Sequence, residues 1–190
     1  IPATHGPGWH GGCSAGAMRM LLLLLLLAAP AAAQTDPTTL CRAAIARAEA
    51  AAAIPPGLLQ AIGRVESGRR NPETGSFGPW PWTINAEGRG HFLPSREAAI
   101  ALVRELQGRG VRSMDVGCMQ VNLHHHPRAF SSLEEAFDPE TNTRYAARFL
   151  TELQSTRNDW MVAASHYHSQ TPELAAAYRA RVQAAWAQTG

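Results

Sequence analysis

The spacing of apolar residues is that of helices over most of the chain. Between residues 37 and 186, apolar side chains recur three and four positions apart, which places them on one face of a helix. The predicted helices cover residues 37–53, 55–67, 96–107, 133–137, 139–153, 160–167 and 172–186. The fold class that follows is mainly α, in a single domain with no internal repeat.

Local start signals support the bounds of these helices. Prolines follow Asp36, Asp138 and Thr171, at first-turn positions where no helical N–H is needed. Ser95 and Asp159 are suitable N-cap residues ahead of two further helices. The last helix carries one predicted apolar stripe, formed by Leu174, Tyr178, Val182 and Trp186.

Two stretches between the helices lack this spacing. In residues 71–94, the segments Thr83-Ile84 and His91-Phe92 flank an Asn-Ala-Glu-Gly turn, which predicts a short β-hairpin. Residues 111–127 are predicted to be irregular. The sequence therefore predicts a mainly-α domain with one short hairpin.

The N-terminal segment has the composition of an export signal. A short positively charged stretch precedes the leucine run Leu21–Leu27, and an Ala-x-Ala cleavage site lies at Ala31–Ala33. We therefore predict a signal peptide over residues 18–33 and a periplasmic domain over residues 34–190. Residues 1–17 precede the first methionine and are interpreted as translated upstream sequence. The alternative is a retained membrane anchor, which the shortness of the leucine run disfavours.

Composition and charge narrow the class of function. The chain has 190 residues, no lysine and a formal net charge of +2. Its arginines form no basic stripe, so nucleic acid is not an expected partner. The predicted exported region holds two cysteines, Cys41 and Cys118, which are candidates for a disulfide because exported proteins meet oxidising conditions. Two buried free thiols are the alternative.

Glu66 is the candidate catalytic residue because it lies on the apolar stripe of the second predicted helix. Leu59 and Ile62 precede it at helical spacing, and it falls in the last turn. Burial and the partial negative charge at a helix C-terminus both favour the protonated acid, which suits proton donation near neutral pH. The alternative is a surface carboxylate paired with Arg69 or Arg70.

Three segments, in order along the chain, resemble the signature of lytic transglycosylases with a goose-type lysozyme-like fold. They are Glu66-Ser67, Gly117-Cys118-Met119-Gln120 and Tyr167-His168-Ser169. The family has Glu-Ser, Gly-Leu-Met-Gln and Ala-Tyr-Asn-Ala-Gly, so Cys118 stands in place of a leucine and His168 in place of an asparagine. A helix that begins at Phe137-Asp138-Pro139 and carries Asn142 also resembles a helix of that family. The resemblance covers about residues 38–187 and implies the same lysozyme-like fold.

The resemblance implies a role for each matching residue. Glu66 is expected to act first as acid and then as base, with the Tyr167 hydroxyl close to it. The further residues expected at the substrate are Ser67, Met119, Gln120, Asn122 and Tyr167. For Ser67, Met119 and Tyr167 the alternatives are helix capping or core packing. Trp82, with Trp80 and Phe92, is a further candidate, either as a groove wall for sugar rings or as core packing.

The implied reaction is cleavage of the MurNAc–GlcNAc β-1,4 bond of peptidoglycan, with a 1,6-anhydro product and no cofactor. A single acid is expected, because Asp115 and Glu87 lie in polar segments that favour solvation. His124-His125-His126 lack the spacing of a metal site, so no metal is expected. The alternatives are a hydrolytic muramidase of the same fold and a cell-wall-binding or assembly factor. The resemblance also implies a monomer that serves an envelope machine such as a secretion system or flagellum.

Overall fold

The computed structural model of the protein describes residues 35–189, together with residues 1–3, 6, 8 and 11. The chain divides into two units, Ile1–Ala33 and Gln34–Gly190, and the fold described below belongs to the second. The predicted signal peptide, residues 18–33, lies outside the described residues. None of the described helices is long and apolar enough to cross a membrane.

Helices make up most of the described part of this unit, which confirms the mainly-α prediction. Each predicted helix is present, and its ends differ from the expected ones by a few residues at most. The helices are α1 Pro37–Ala51, α2 Leu58–Ser67, α3 Arg96–Gly108, α4 Leu133–Ala136, α5 Pro139–Arg157, α6 Trp160–His168 and α7 Pro172–Trp186. The side chains of Ser95, Asp138 and Asp159 accept backbone hydrogen bonds at the starts of α3, α5 and α6, as N-cap residues do.

Within residues 35–189, short strands form two antiparallel sheets. The strands are β1 Gly68–Arg70, β2 Phe77–Pro79, β3 Thr83–Ala86, β4 Arg89–Phe92, β5 Met114–Val116 and β6 Val121–Asn122. β1 pairs with β2, and the larger sheet has the order β4-β3-β5-β6. The predicted hairpin is β3–β4. The prediction that residues 111–127 are irregular is wrong, because β5 pairs with the distant β3, with Ile84 opposite Val116.

The apolar residues form two cores. The larger core joins α1, α2, α5, α6 and α7 around fully buried residues such as Leu59 and Leu150. The smaller core joins the larger sheet to α3, with Ile84 packed near Val103. The loop between β5 and β6 reaches the larger core through Met119. This loop therefore lies where the sheet meets the helices.

The stripe predicted for the last helix is only partly correct. Tyr178 and Val182 are buried, but Leu174 is 52% exposed and Ala175 takes its place on the buried face. Because one turn of helix has 3.6 residues, a strict four-residue spacing drifts around the axis. The buried face therefore alternates steps of three and four residues.

A disulfide joins Cys41 in α1 to Cys118 in the loop between β5 and β6, 77 residues apart in sequence. The candidate pair is therefore bonded, and the alternative of two free thiols is excluded. Both cysteines are buried in the larger core. The bond therefore ties the first helix to the loop that carries Gln120.

The start of α2 is capped by a residue of α1 rather than by its own N-cap side chain. Gly57 is at the N-cap position with φ +82°, a left-handed conformation that glycine adopts without strain. The Glu49 carboxylate accepts hydrogen bonds from the backbone N–H groups of Gly57 at 2.6 Å and Leu59 at 2.8 Å. A carboxylate here satisfies free N–H groups and interacts favourably with the helix dipole. Helix α1 therefore fixes where α2 begins.

Candidate active site

Glu66 lies in the last turn of α2, is partly buried, and lines a cavity of about 290 Å³. The lining residues are Glu66, Asn85, Asp115, Gln120, Val121, Asn122, His125, His126, Tyr145, Phe149, Tyr167 and His168. The cavity thus brings together one or more residues from each of the three sequence segments described above. A larger groove of about 590 Å³ lies between α1 and α5, but its two glutamates form ion pairs with arginines. We therefore place the candidate site at Glu66.

The surroundings of the Glu66 carboxyl group bring its pKa close to neutral pH. Its Oε1 accepts a hydrogen bond from the Tyr178 hydroxyl at 2.6 Å. Burial raises the pKa of Glu66 from 4.5 to about 7, and the Asp115 carboxylate adds to this, whereas the Tyr178 hydrogen bond and Arg181 oppose it. An acid with a pKa near neutrality can donate a proton and then recover one.

The alternative interpretation of Glu66, a surface ion pair with a neighbouring arginine, is wrong. The Arg69 guanidinium lies over the Trp80 ring, 4.7 Å from its centroid. Arg70 donates to the Gly75 carbonyl at 2.6 Å. Among the described residues, neither arginine forms an ion pair with Glu66.

The loop that carries Gln120 is held by Asn142, a fully buried residue of α5. Asn142 accepts a hydrogen bond from the Met119 backbone N–H at 2.9 Å and donates two to backbone carbonyls. Gly117 has φ +82°, and a Cβ there would lie 2.4 Å from the Asn142 Nδ2. Only glycine fits this approach. Asn142 shares the α5 stripe with apolar residues, which is the same signal that singled out Glu66.

Gln120 has a backbone conformation that is uncommon outside glycine, with φ +48°. Its side-chain amide donates to the carbonyls of Gly117 at 3.0 Å and Thr83 at 3.2 Å. Both bonds use the amide nitrogen, so the amide oxygen is left as an acceptor for a ligand in the cavity that Gln120 lines. Backbone strain that the surrounding structure holds in place is typical of functional sites.

Ser67, Met119 and Trp82, which were candidates for substrate contact, do not line this cavity. Ser67 is buried and its hydroxyl donates to the Cys118 carbonyl at 2.6 Å. Met119 is fully buried in the larger core. Ser67 and Met119 therefore connect the end of α2 to the Gln120 loop. Trp82 lines a separate cavity with Phe92.

The tyrosine that hydrogen-bonds to Glu66 is Tyr178, whereas the family resemblance singled out Tyr167 as the tyrosine close to Glu66. Tyr167 lines the cavity, but its hydroxyl donates to the Met119 carbonyl at 2.8 Å, and the bond to Glu66 comes from Tyr178. Burial raises the pKa of both hydroxyls well above the ordinary value, so both remain protonated donors. The signal for Tyr178 is a phenol on the buried face of α7, where its hydroxyl requires a polar partner.

Asp115 is a half-buried second carboxylate in the Glu66 cavity, not the solvated charge expected from sequence. Its Oδ1 accepts a hydrogen bond from the Asn122 Nδ2 at 2.7 Å. Burial raises the pKa of Asp115, and the Asn122 bond opposes this rise. Glu87, the other carboxylate considered, lines a different cavity and pairs with Arg109.

Histidines complete the lining of the cavity. Burial lowers the pKa of both His126 and His168, which favours neutral imidazoles. His168 stacks on Tyr178, with ring centroids 4.8 Å apart, and therefore packs against the tyrosine that contacts Glu66. Across residues 35–189, no group of His, Cys, Asp and Glu is arranged to hold a metal ion.

We expect the Glu66→Gln variant to be more stable than the wild type at pH 8 but not at pH 4. Between pH 4.5 and 7 the native carboxyl binds more protons than the unfolded one, so wild-type stability falls as pH rises through this window. A shift of this size corresponds to at most about 3 kcal/mol in the free energy of unfolding at pH 8. Urea unfolding at both pH values measures the difference, with Glu87→Gln as the control. An equal gain at pH 4 and pH 8 would contradict the raised pKa.

The sequence matches one family model. The model is described as Transglycosylase SLT domain, and it matches residues 43–183, well over half of the chain. The matched range contains Glu66, Gln120, Tyr167 and Tyr178. No curated protein and no solved structure matches the chain.

Proposed function

The chain belongs to the transglycosylase SLT domain family, and we propose that it is a periplasmic lytic transglycosylase that cleaves the MurNAc–GlcNAc β-1,4 bond of peptidoglycan. The observation that carries this proposal is Glu66, an acid with its pKa raised to about 7 at the wall of an open cavity. The export signal predicted over residues 18–33 supports the periplasmic location. We also propose that the protein acts as a monomer alongside an envelope-spanning machine.

In the first step Glu66 acts as a general acid. The protonated carboxyl donates its proton to the glycosidic oxygen, and the bond between that oxygen and C1 of MurNAc breaks. The oxygen of the 2-acetamido group of the same sugar bonds to C1 and carries the developing positive charge, as in substrate-assisted glycosidases. Tyr178 donates to the carboxylate that Glu66 has become and stabilises it.

In the second step the Glu66 carboxylate acts as a base. It removes the proton of the C6 hydroxyl, whose oxygen attacks C1 and displaces the acetamido oxygen. The product is a 1,6-anhydro sugar, Glu66 is protonated again, and no water is consumed. An attacking group held within the sugar has an effective concentration on the order of 10⁵ M or more, so it outcompetes water.

A hydrolytic muramidase is the second candidate, and Asp115 is the observation that favours it. Hydrolysis by two carboxylates needs an acid with a raised pKa and a second group that attacks C1 or activates water. Glu66 and Asp115 line the same cavity, and the Asp115 charge contributes to the raised pKa of Glu66. The two candidate reactions therefore differ in whether they require Asp115: hydrolysis by two carboxylates does, and the lytic reaction does not.

Mass spectrometry of a sacculus digest tests the proposal. We expect anhydro-muropeptides, each lighter by one water than the hydrolytic product. We also expect Asp115→Asn to retain activity within about tenfold of the wild type, because a lytic mechanism needs one acid/base group. Reducing-end products, together with loss of activity in Asp115→Asn as large as that in Glu66→Gln, would establish the muramidase instead. No soluble product from the wild type would contradict both enzymes.

A further inference from the structure

A second cavity, of about 420 Å³, lies beside β1 and is separate from the Glu66 cavity. Its lining combines a cationic and aromatic group, formed by Arg69, Trp82 and Phe92, with an acidic group that includes Asp36 and Glu73. Trp80 also lines it, although its side chain is almost fully buried. The cavity thus presents charges of both signs next to aromatic surface.

Arg69 has the arrangement of an anion receptor. Its guanidinium lies 4.7 Å from the Trp80 ring centroid and 5.3 Å from that of Phe92. Its one hydrogen bond to the described residues is a long one, at 3.4 Å to the Phe92 carbonyl, so most of its N–H donors have no protein acceptor there. A guanidinium held against aromatic rings, with its N–H donors free, can make a bidentate contact with a carboxylate.

The acidic group supplies fixed negative charge. The Asp36 carboxylate accepts hydrogen bonds from the hydroxyls of Thr74, at 2.8 Å, and Ser76. Burial tends to raise the pKa of Asp36, but these bonds and one from Asn71 outweigh it and hold the pKa well below its ordinary value.

Glu73 is exposed and forms no ion pair within the described part of the chain. Asp36 is also the N-cap of α1, where its Oδ1 accepts a hydrogen bond from the Thr38 backbone N–H at 2.9 Å. Both of its oxygens are therefore in use, so Asp36 adds negative charge to the cavity and Glu73 supplies the free acceptor for an ammonium group.

A neutral sugar ring fits this cavity less well than a zwitterion. Sugar recognition by stacking needs free aromatic faces, and the Arg69 guanidinium occupies one side of the Trp80 and Phe92 rings. A neutral sugar would also leave the charges of Arg69 and Glu73 without partners. A ligand that carries both a carboxylate and an ammonium group would instead satisfy Arg69 and the acidic pair together. Trp82 and Phe92, which remain partly exposed, would contact its aliphatic part.

We propose that this cavity binds the peptide stem of peptidoglycan, with Arg69 on a carboxylate and Glu73, supported by the negative charge of Asp36, on an ammonium group. This proposal rests on the proposed function for the choice of peptide, but the site itself is separate from Glu66.

The chain places the two cavities close together. Arg69 follows Glu66 by three residues, which limits the distance between their Cα atoms to roughly 11 Å. Trp82 directly precedes Thr83, whose carbonyl accepts the hydrogen bond from Gln120. A peptide attached to a sugar in the Glu66 cavity therefore has a short path to Arg69.

Calorimetric titration with a synthetic stem tetrapeptide, N-acetylated so that its N-terminus is an amide as in the glycan strand and only the side-chain amino group is free, tests the site without catalysis. We expect Arg69→Gln to weaken binding at least tenfold and Glu73→Gln to weaken it several-fold. The matched control is Arg70→Gln, which removes the same charge from the next residue of β1. Arg70 does not line the cavity, so this variant should bind within twofold of the wild type. Circular dichroism confirms that each variant is folded.

Equal binding by wild type and Arg69→Gln, or no binding by the wild type, would overturn the peptide site whatever the enzyme does. Binding of a peptide-free oligosaccharide that depends on Arg69 would assign the cavity to sugar and would also overturn the peptide site.

A second assay compares cleavage of peptide-bearing and peptide-free glycan strands. The kcat/KM for the peptide-bearing strand, divided by that for the peptide-free strand, should fall in Arg69→Gln and stay constant in Arg70→Gln. If the wild type cleaves neither strand but binds the peptide, the proposed function fails and the site stands.

Discussion

Replacing Glu66 with glutamine is expected to lower the release of soluble muropeptides from purified sacculi by about 10³-fold or more. Removal of a single general acid or base commonly costs 10²- to 10⁴-fold, and Glu66 is proposed to serve in both roles. Glutamine keeps the size of the side chain and an oxygen that accepts from Tyr178, but it has no proton to donate at the leaving oxygen. The loss should therefore appear in kcat, with little change in substrate binding.

The control for this experiment is Glu87→Gln. Glu87 is exposed, lies outside the Glu66 cavity and pairs with Arg109, so we expect its activity within twofold of the wild type. The higher stability expected for Glu66→Gln at pH 8 separates a chemical loss from unfolding. Retention of more than about a tenth of wild-type activity by a folded Glu66→Gln variant would rule out the acid role.

Removal of the disulfide, by replacing Cys41 and Cys118 together with alanine, is expected to lower the free energy of unfolding by about 4 kcal/mol. The bond closes a segment of 77 residues, and the chain entropy that such a link removes from the unfolded state is worth roughly that amount. Both sulfurs are buried, so lost packing adds to the effect. Urea unfolding of the oxidised wild type and of the double variant measures the difference.

The reduced wild type provides the matched comparison for the disulfide. Reduction should lower the midpoint of the wild type towards that of the double variant and leave the double variant unchanged. A difference below about 1 kcal/mol between oxidised wild type and variant would show that the link does not limit the unfolded chain as argued.

The helices could be predicted because their signals are local. Pro139 and the Asp138 cap define the start of α5 from adjacent residues, and amphipathic spacing defines the rest. β5 and β6 could not be predicted, because Met114–Val116 acquires its strand partner from β3, about thirty residues away in sequence. Strand pairing of this kind depends on the tertiary fold, which local propensity does not encode.

Glu66 could be predicted for the same reason as the helices, because its signal is local. A carboxylate on the apolar stripe of a helix stands out from the sequence of that helix alone. The hydrogen-bond partner of Glu66 could not be predicted. Tyr167 and Tyr178 are both candidates, and only the packing of α7 against α2 determines that the Tyr178 hydroxyl makes the bond. Ser67 shows the converse. Its place in a motif suggested contact with substrate, whereas the fold uses its hydroxyl to hold the Cys118 carbonyl.

The Glu49 cap has a consequence for protein engineering. Helix α2 contains Glu66, the proposed proton donor, yet the first N–H groups of this helix are satisfied by a carboxylate from α1. The segment from Gly57 to Ser67 is consequently not a transferable module. Grafted alone onto another helical scaffold, it would lose the anchor that sets its starting point, and a successful transplant would have to bring α1 with it.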